Sequence, residues 1–240
     1  MGSRPEITVH PDAAALAQAA AVRFAALAAR AERVPFTVAL AGGSTPRALY
    51  ERLATPPLAP RIPWDRLELF FGDERAVGPD HTDSNYRMAR EALLAHVPVT
   101  AHPMAAERGD AEAYAALLAT RVPARRDGQP ALDLILLGMG EDGHTASLFP
   151  GTAALAETAR PVVMNDVPQL GTRRMTVTFP VINAADRVWI LVTGASKSAL
   201  VAHALAGGQA ATDLPVQRVR PSAGELVWWL DAAAAGELGA

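Results

Sequence analysis

Residues 132–144 read LDLILLGMGEDGH, a run of apolar residues that passes directly into a turn containing three glycines. A short apolar run bounded by turn residues is typical of a buried strand. The stretches 36–47 (FTVALAGGSTPR), 67–75 (LELFFGDER) and 188–197 (VWILVTGASK) show the same arrangement. Each is therefore predicted to be a strand that ends in a polar, glycine-bearing loop.

Helical segments are predicted between these strands. Asp12 and Ser84 are the expected N-caps of two of them. The predicted helices cover about 12–32, 47–53, 84–96, 111–121 and 198–206, and weaker strand signals lie at 7–9, 161–164, 174–179, 216–219 and 225–230. Apolar strands that alternate with helices indicate a Rossmann-like α/β fold, with a mostly parallel sheet and helices on both faces. No linker divides the chain, so we expect a single domain over residues 1–240.

The composition excludes several classes of protein. The 240 residues include no Cys and carry a formal net charge of −3. A disulfide framework, thiolate metal sites and a cysteine nucleophile are thereby excluded, and no general attraction to nucleic acid is expected. We find neither a secretory signal pattern nor an apolar run long enough to span a membrane. A cytoplasmic protein without membrane or nucleic-acid partners is predicted.

The polar loops after the four strands are expected to lie together. In open parallel sheets, ligands bind beyond the carboxyl ends of the strands. The loops at 42–47, 72–75, 138–144 and 193–197 would all meet at that edge. The sequence therefore predicts a ligand site there.

The loop GGSTPR, residues 42–47, is suited to an anion. Gly43 lets the backbone approach a ligand, while Ser44, Thr45 and the first helical amides can donate hydrogen bonds. The loop matches neither a Walker A sequence nor GxGxxG, so it favours a single phosphate over a nucleotide. An ordinary capped strand–helix turn fits the same residues.

The loop GMGEDGH, residues 138–144, places His144 two positions after Asp142. A histidine beside a carboxylate is the usual arrangement of a general base, and the glycine amides can face a developing oxyanion. The alternative is that His144 only caps the turn that follows, but its position at the predicted ligand edge favours catalysis. His81, beside GDER, is a further histidine that can reach this edge.

Cations follow two of the strands. Arg75 can clamp a phosphate through two hydrogen bonds, and Asp73 beside it can orient a hydroxyl or the histidine. Lys197 is the only Lys among 22 basic residues. It and Arg47 are predicted in the first turns of helices, where a cation opposes the helix dipole unless an anion is bound. A compact ammonium that binds phosphate explains this single Lys.

The sequence resembles the 6-phosphogluconolactonase family. Four segments carry the resemblance: residues 39–54, residues 70–94 with GDER and DSN, residues 133–151 with GMGEDGHTASLFPG, and residues 174–205. The match runs in order from about residue 5 to residue 231. The family belongs to a superfamily that includes glucosamine-6-phosphate deaminase and is similar in fold to ribose-5-phosphate isomerase.

The resemblance implies a carboxylic ester hydrolase that converts 6-phospho-D-glucono-1,5-lactone to 6-phosphogluconate in the oxidative pentose phosphate pathway. It implies no cofactor and no required metal. The sequence does not determine the oligomeric state, and a monomer or small homo-oligomer is expected. His144 would be the base, supported by Asp142 and Asp73. The implied phosphate-binding residues are Gly43, Ser44, Thr45, Arg47, Arg75, Lys197 and Arg174.

Two alternatives stay open. A deaminase-like aldose–ketose isomerase shares GGSTP and the DGH core, but a DEY-like sequence would be expected in place of GDER, and FNEP in place of SLFP. A non-enzymatic sugar-phosphate sensor normally carries a DNA-binding segment, and no basic helix-turn-helix is found here.

Overall fold

A computed structural model of the protein describes residues 4–126, 128–206, 214–236 and 238. The strands in these residues are β1 (Glu6–His10), β2 (Phe36–Leu40), β3 (Leu67–Phe71), β4 (Asp73–Arg75), β5 (Thr100–Ala101), β6 (Ala124–Arg126), β7 (Gln129–Pro130), β8 (Leu134–Leu137), β9 (Val162–Val167), β10 (Thr172–Val177), β11 (Arg187–Val192) and β12 (Glu225–Asp231). The α-helices are α1 (Ala13–Ala29), α2 (Ser44–Leu53), α3 (Asn85–Ala89), α4 (Ala111–Arg121), α5 (Phe179–Ala184) and α6 (Ser198–Leu205). No helix in these residues is both long and apolar enough to cross a lipid bilayer.

The main sheet has the strand order β1-β12-β11-β8-β2-β3-β5. Every neighbouring pair in it is parallel, which confirms the predicted α/β fold. Strands β2, β3 and β8 are buried along their whole length. Burial on both faces explains why their sequences are continuous apolar runs instead of alternating ones.

Helix α1 shows how an Ala-rich sequence packs against such a sheet. Its buried residues include Leu16, Ala20 and Phe24, which recur on one face at helical spacing. Its small alanines allow the helix axis to approach its neighbours closely. The side chain of Asp12 accepts a hydrogen bond of 2.7 Å from the amide of Ala15, which confirms the predicted N-cap.

The residues of GDER differ from the prediction of a loop. Asp73–Arg75 forms β4, which pairs antiparallel with β10 so that Arg75 lies opposite Arg174 and Asp73 opposite Thr176. Strand β9 completes this second sheet. Gly72 joins it to the main sheet, because its amide donates to Leu40 and its carbonyl accepts from Val177. Because β4 and β10 lie roughly a hundred residues apart in the sequence, the GDER segment contains no local pattern that predicts their pairing.

Other elements also differ from the predictions. The weak strand signal at 216–219 was wrong, because Pro215–Arg218 forms a short 3₁₀ helix, whose first position suits proline. The helix predicted at 84–96 becomes π-helical over Arg90–Leu94, although the hydroxyl of Ser84 caps it as predicted. Helix α2 begins at Ser44, three residues earlier than predicted.

A buried carboxylate fixes the register between β2 and β8 at the amino ends of the strands. One oxygen of Asp133 accepts hydrogen bonds from the amide and the hydroxyl of Thr37, at 2.9 and 2.8 Å. The other oxygen accepts from the guanidinium of Arg33 at 2.8 Å. Both oxygens of the Asp133 carboxylate therefore accept hydrogen bonds, one from β2 and the other from the segment that precedes β2.

We expect Asp133→Asn to lower the free energy of unfolding by roughly 1.5–3 kcal/mol, because the new amide group would have to face a donor and a buried charged hydrogen bond would be lost. Urea unfolding measures the difference. Asp166→Asn is the matched control, since Asp166 is an exposed carboxylate paired with Arg173, and its loss should cost at most about 1 kcal/mol. Equal losses in the two variants would contradict the assigned role of Asp133.

Candidate active site

A cavity of about 300 Å³ lies at the carboxyl ends of β2, β8 and β11. All four predicted loops contribute residues to its wall, so their predicted convergence is confirmed. The predicted site residues that line it are Gly43, Ser44, Thr45, Asp73, Arg75, His144, Arg174 and Lys197. Asp142 lies behind the His144 ring, outside the lining. Arg47 is also outside it, with an exposed guanidinium 3.0 Å from Glu51 one helical turn away.

The GGSTPR loop presents the first turn of α2 to the cavity. Gly43 has a φ of 103°, a conformation that favours glycine. No side chain caps the helix at this end, so the amides of Ser44 and Thr45 are available to an anion. The hydroxyls of Thr45 and Thr193 lie 2.8 Å apart and join this loop to the one after β11.

Lys197 reaches the cavity from the loop after β11. It ends a short 3₁₀ helix, Ala195–Lys197, and directly precedes α6, where the sequence had placed it inside the helix. Its side chain is only 16% exposed and its ammonium lies 3.8 Å from the exposed carboxylate of Glu141. The buried carboxylate of Asp231 orients this loop by accepting the Gly194 amide at 3.0 and 3.1 Å. Sequence analysis did not identify Asp231, whose position at the end of β12 carries no local signal.

The His144 ring is held on two sides. Nδ1 lies 2.5 Å from Oδ1 of Asp142, and the ring stacks on Phe149 with the centroids 3.9 Å apart. Because an ionised carboxylate can only accept, Nδ1 donates, and the lone pair of the neutral ring is on Nε2. Gly140 is required beside it, since a Cβ there would lie 2.0 Å from Cε1 of His144. This arrangement orients an imidazole that can accept a proton.

The carboxylate of Asp142 is stabilised in its charged form. Burial alone would raise its pKa, but hydrogen bonds from the backbone amide and the ring of His144 bring the pKa of Asp142 below its ordinary value. The amide bond measures 3.0 Å. Asp142 is therefore a charged partner for His144 at neutral pH.

Two arginines lie side by side in the second sheet. Arg75 and Arg174 are opposite each other in the β4–β10 register, and within the described residues neither guanidinium has a carboxylate oxygen within 4.0 Å. Burial, together with the charge of Arg75, lowers the pKa of Arg174, against the opposite effect of Asp73, Glu74 and Asp83. The Arg174 guanidinium lies over the ring of Phe149, 5.2 Å from its centroid. Two adjacent guanidiniums that form no direct ion pair are suited to an anion.

Asp73 is buried and both of its carboxylate oxygens are occupied. Oδ2 accepts the hydroxyl of Ser147 at 2.6 Å, and Oδ1 accepts the side-chain amide of Asn85 at 3.2 Å. Asp73 therefore links β4 to α3 and to the loop after His144. Sequence analysis missed Asn85 and Ser147 as site residues, although both lie in the DSN and GHTAS segments that it singled out.

Glu74 points to α3. It accepts hydrogen bonds of 2.8 Å from the amides of Arg75, Asn85 and Tyr86. Burial raises the pKa of Glu74, against the effect of these bonds. The adjacent acidic residues of GDER thus have separate structural roles.

His81 does not line the cavity, and its half-exposed ring lies 3.7 Å from Asp83. Across the described residues, no group of three His, Asp or Glu side chains is arranged to hold a metal ion. Among the histidines that the structure describes, His144 is the one in the cavity wall.

Fold and site together define an α/β protein with a histidine–carboxylate pair beside three cations, and comparison with known proteins identifies the family. Residues 11–228 match the family described as glucosamine-6-phosphate isomerases/6-phosphogluconolactonase, and the chain belongs to it. A curated relative from Nostoc sp., named 6-phosphogluconolactonase, is 43% identical over 85% of each chain. The solved 6-phosphogluconolactonase of Trypanosoma brucei matches the whole length of both chains, with a TM-score of 0.88 and 33% identity.

A monomeric glucosamine-6-phosphate deaminase also has this fold. It covers 96% of this chain with a TM-score of 0.79, but at only 19% identity. This similarity supports the fold alone. It confirms the expected structural relationship to the deaminases.

We expect His144→Ala to raise the pKa of Asp142 toward its ordinary value, because the hydrogen bond from the ring is lost while part of the burial remains. This hydrogen bond stabilises the folded protein at pH values above the carboxyl pKa of the unfolded chain. The stabilisation is lost as the pH falls through the pKa of Asp142 in the folded protein. Carboxyl-carbon NMR titration of both proteins measures the change. An unchanged Asp142 titration in the variant would contradict the pairing.

Proposed function

We propose that this cavity binds 6-phosphoglucono-δ-lactone and hydrolyses it to 6-phosphogluconate, a step of the oxidative pentose phosphate pathway. The names of the curated relatives support this activity. The observation that carries the proposal is that His144, oriented by Asp142, lines the same cavity as Arg75, Arg174 and Lys197. An oriented base beside three cations suits an ester that carries a phosphate.

The substrate explains why no covalent nucleophile is needed. A δ-lactone is an activated cyclic ester, so water can attack its carbonyl directly. In our proposal Nε2 of His144 takes a proton from that water, and the charge of Asp142 stabilises the imidazolium that forms. The C1–O5 bond then breaks, and the imidazolium returns its proton to O5. The products are the open-chain acid and the neutral imidazole.

The cations serve to anchor and to stabilise charge. We assign the phosphate to the first turn of α2 with Gly43, Ser44 and Thr45, and to the charges of Lys197, Arg75 and Arg174. Binding energy from a remote phosphate can place C1 against the base and so raise kcat as well as affinity. Arg47 is the weakest member of the predicted set because its guanidinium already pairs with Glu51.

The alternatives predict different chemistry. A deaminase-like isomerase would release ammonia from glucosamine 6-phosphate, and a sensor would bind a sugar phosphate without turnover. The oriented pair of His144 and Asp142 argues against a sensor, and the identity to proteins named 6-phosphogluconolactonase argues against the isomerase. The cytoplasmic location and the monomeric or small homo-oligomeric state stay predictions.

We expect His144→Gln to fold normally and to lower kcat for the lactone by roughly 10²–10⁴-fold, because the general base is removed. The assay follows lactone loss after subtraction of spontaneous hydrolysis.

His81→Gln is the matched control, since His81 lies outside the cavity wall. Its kcat should equal that of the wild type. If His144→Gln hydrolysed the lactone at the wild-type rate, His144 would not be the base.

We expect Lys197→Ala to lower kcat/KM for the phosphorylated lactone by roughly 10- to 100-fold, because a charge-assisted contact to the phosphate is lost. Glucono-δ-lactone lacks the phosphate, so its kcat/KM should change little. Lys197→Arg should recover only part of the loss, since a planar guanidinium does not occupy the place of a compact ammonium. The measured quantity is the ratio of kcat/KM for the two lactones.

Arg52→Ala is the control for removal of one positive charge, because Arg52 is exposed on α2 and lies outside the cavity wall. It should leave the ratio unchanged. An unchanged ratio in Lys197→Ala as well would show that Lys197 does not bind the phosphate.

A further inference from the structure

Asn85 lies at the wall of the cavity between Asp73 and Arg75. Only 2% of its surface is exposed. Its Nδ2 donates to the carbonyl of Asp73 at 2.9 Å and to Oδ1 of the same residue at 3.2 Å. Its Oδ1 accepts from Nη1 of Arg75 at 2.7 Å. The two ends of this amide therefore have different partners, and only one orientation of the side chain satisfies both.

Gly42 leaves room for the side-chain amide of Asn85 because it has no Cβ. A Cβ built on Gly42 would lie 1.9 Å from Oδ1 of Asn85 and 2.5 Å from its Cγ. The backbone of the GGSTPR loop thus lies directly against the amide. Asn85 has no room to rotate away from Arg75 on that side, so the contact to the guanidinium is fixed by packing as well as by hydrogen bonds.

The groups that hold the Arg75 guanidinium are neutral. Nη1 donates to Oδ1 of Asn85 and to the carbonyl of Asp83, both at 2.7 Å. Nε is buried and has no hydrogen-bond partner. Neutral acceptors restrict the position of a guanidinium without cancelling its charge, whereas a carboxylate at the same place would form an ion pair with it. Arg75 is therefore positioned and still carries a charge that a ligand can use.

We propose that Asn85 is a positioning residue that holds the Arg75 guanidinium in the cavity wall without neutralising it, so that Arg75 can bind the anionic substrate. The identity of that substrate rests on the proposed function. The neutrality of the amide is the essential property: aspartate has nearly the same shape as asparagine, but it would neutralise Arg75 and place a second carboxylate next to Asp73.

The test compares Asn85→Asp, Asn85→Ala and the wild type by calorimetric binding of 6-phosphogluconate. We expect Asn85→Asp to raise Kd by roughly 10- to 100-fold. Asn85→Ala, which leaves Arg75 charged but less restrained, should raise Kd by less. A role in packing alone gives the opposite order, because alanine leaves a cavity and aspartate does not.

The same substitution in an Arg75→Gln background completes the experiment. If Asn85 acts through Arg75, Asn85→Asp should raise Kd clearly less there than in the wild-type background, because only the repulsion by the added carboxylate is left. Asn183→Asp is the control for the chemical change, because Asn183 contacts Arg218 and Arg220 outside the cavity, and its Kd should match the wild type. Thermal unfolding of each variant verifies that it is folded.

Three results would overturn the proposal: an unchanged Kd in Asn85→Asp, a larger loss in Asn85→Ala than in Asn85→Asp, or the full loss in the Arg75→Gln background. If Asn85→Asp does not fold, Asn85→Ala and its combination with Arg75→Gln decide the question, since a loss that persists without Arg75 contradicts the role. Lactone turnover is measured separately. A wild type that binds 6-phosphogluconate but does not hydrolyse the lactone would refute the proposed function and leave this test valid.

Discussion

The carboxylate of Asp73 holds together the segments that form the cavity. One oxygen binds the hydroxyl of Ser147, just beyond the histidine loop, and the other binds Asn85 at the start of α3. Its backbone lies in β4, which places Arg75 opposite Arg174. A buried carboxylate is costly unless its oxygens are satisfied. This requirement keeps elements from three distant parts of the sequence at fixed distances, and the geometry of the site depends on it.

The distribution of charge in the cavity differs from that of the whole chain. The formal net charge is −3, yet Arg75, Arg174 and Lys197 share one cavity wall with the single carboxylate of Asp73. Adjacent cations repel one another, and a protein that keeps them together gains from an anion that relieves the repulsion. In the proposed function this arrangement favours binding of a phosphorylated substrate, and it cannot be inferred from the overall composition.

Local sequence patterns predicted the parts of the structure that depend on local interactions. Apolar runs identified the central strands, and their glycine-bearing ends located the cavity. The patterns did not reveal β4, because its partner lies about a hundred residues away, nor the ion pair that turns Arg47 away from the cavity wall. They also gave no means to distinguish Asn85 from an exposed asparagine, since its role follows from its burial against Gly42. These features depend on long-range strand pairing and on burial, which local sequence patterns do not contain.

The two positioned residues of the cavity have partners of opposite kinds, and the chemistry accounts for the difference. His144 must gain a proton during the proposed reaction, so an ionised carboxylate beside Nδ1 stabilises the state that forms. Arg75 carries its charge throughout and must direct it at the substrate, so neutral oxygens hold it. Exchanging the two kinds of partner would impair both functions. A neutral partner would leave the imidazolium of His144 without a counter-charge, and a carboxylate would neutralise the charge of Arg75. Whether each partner is ionised or neutral thus follows from whether the residue that the partner positions changes its charge during the proposed reaction.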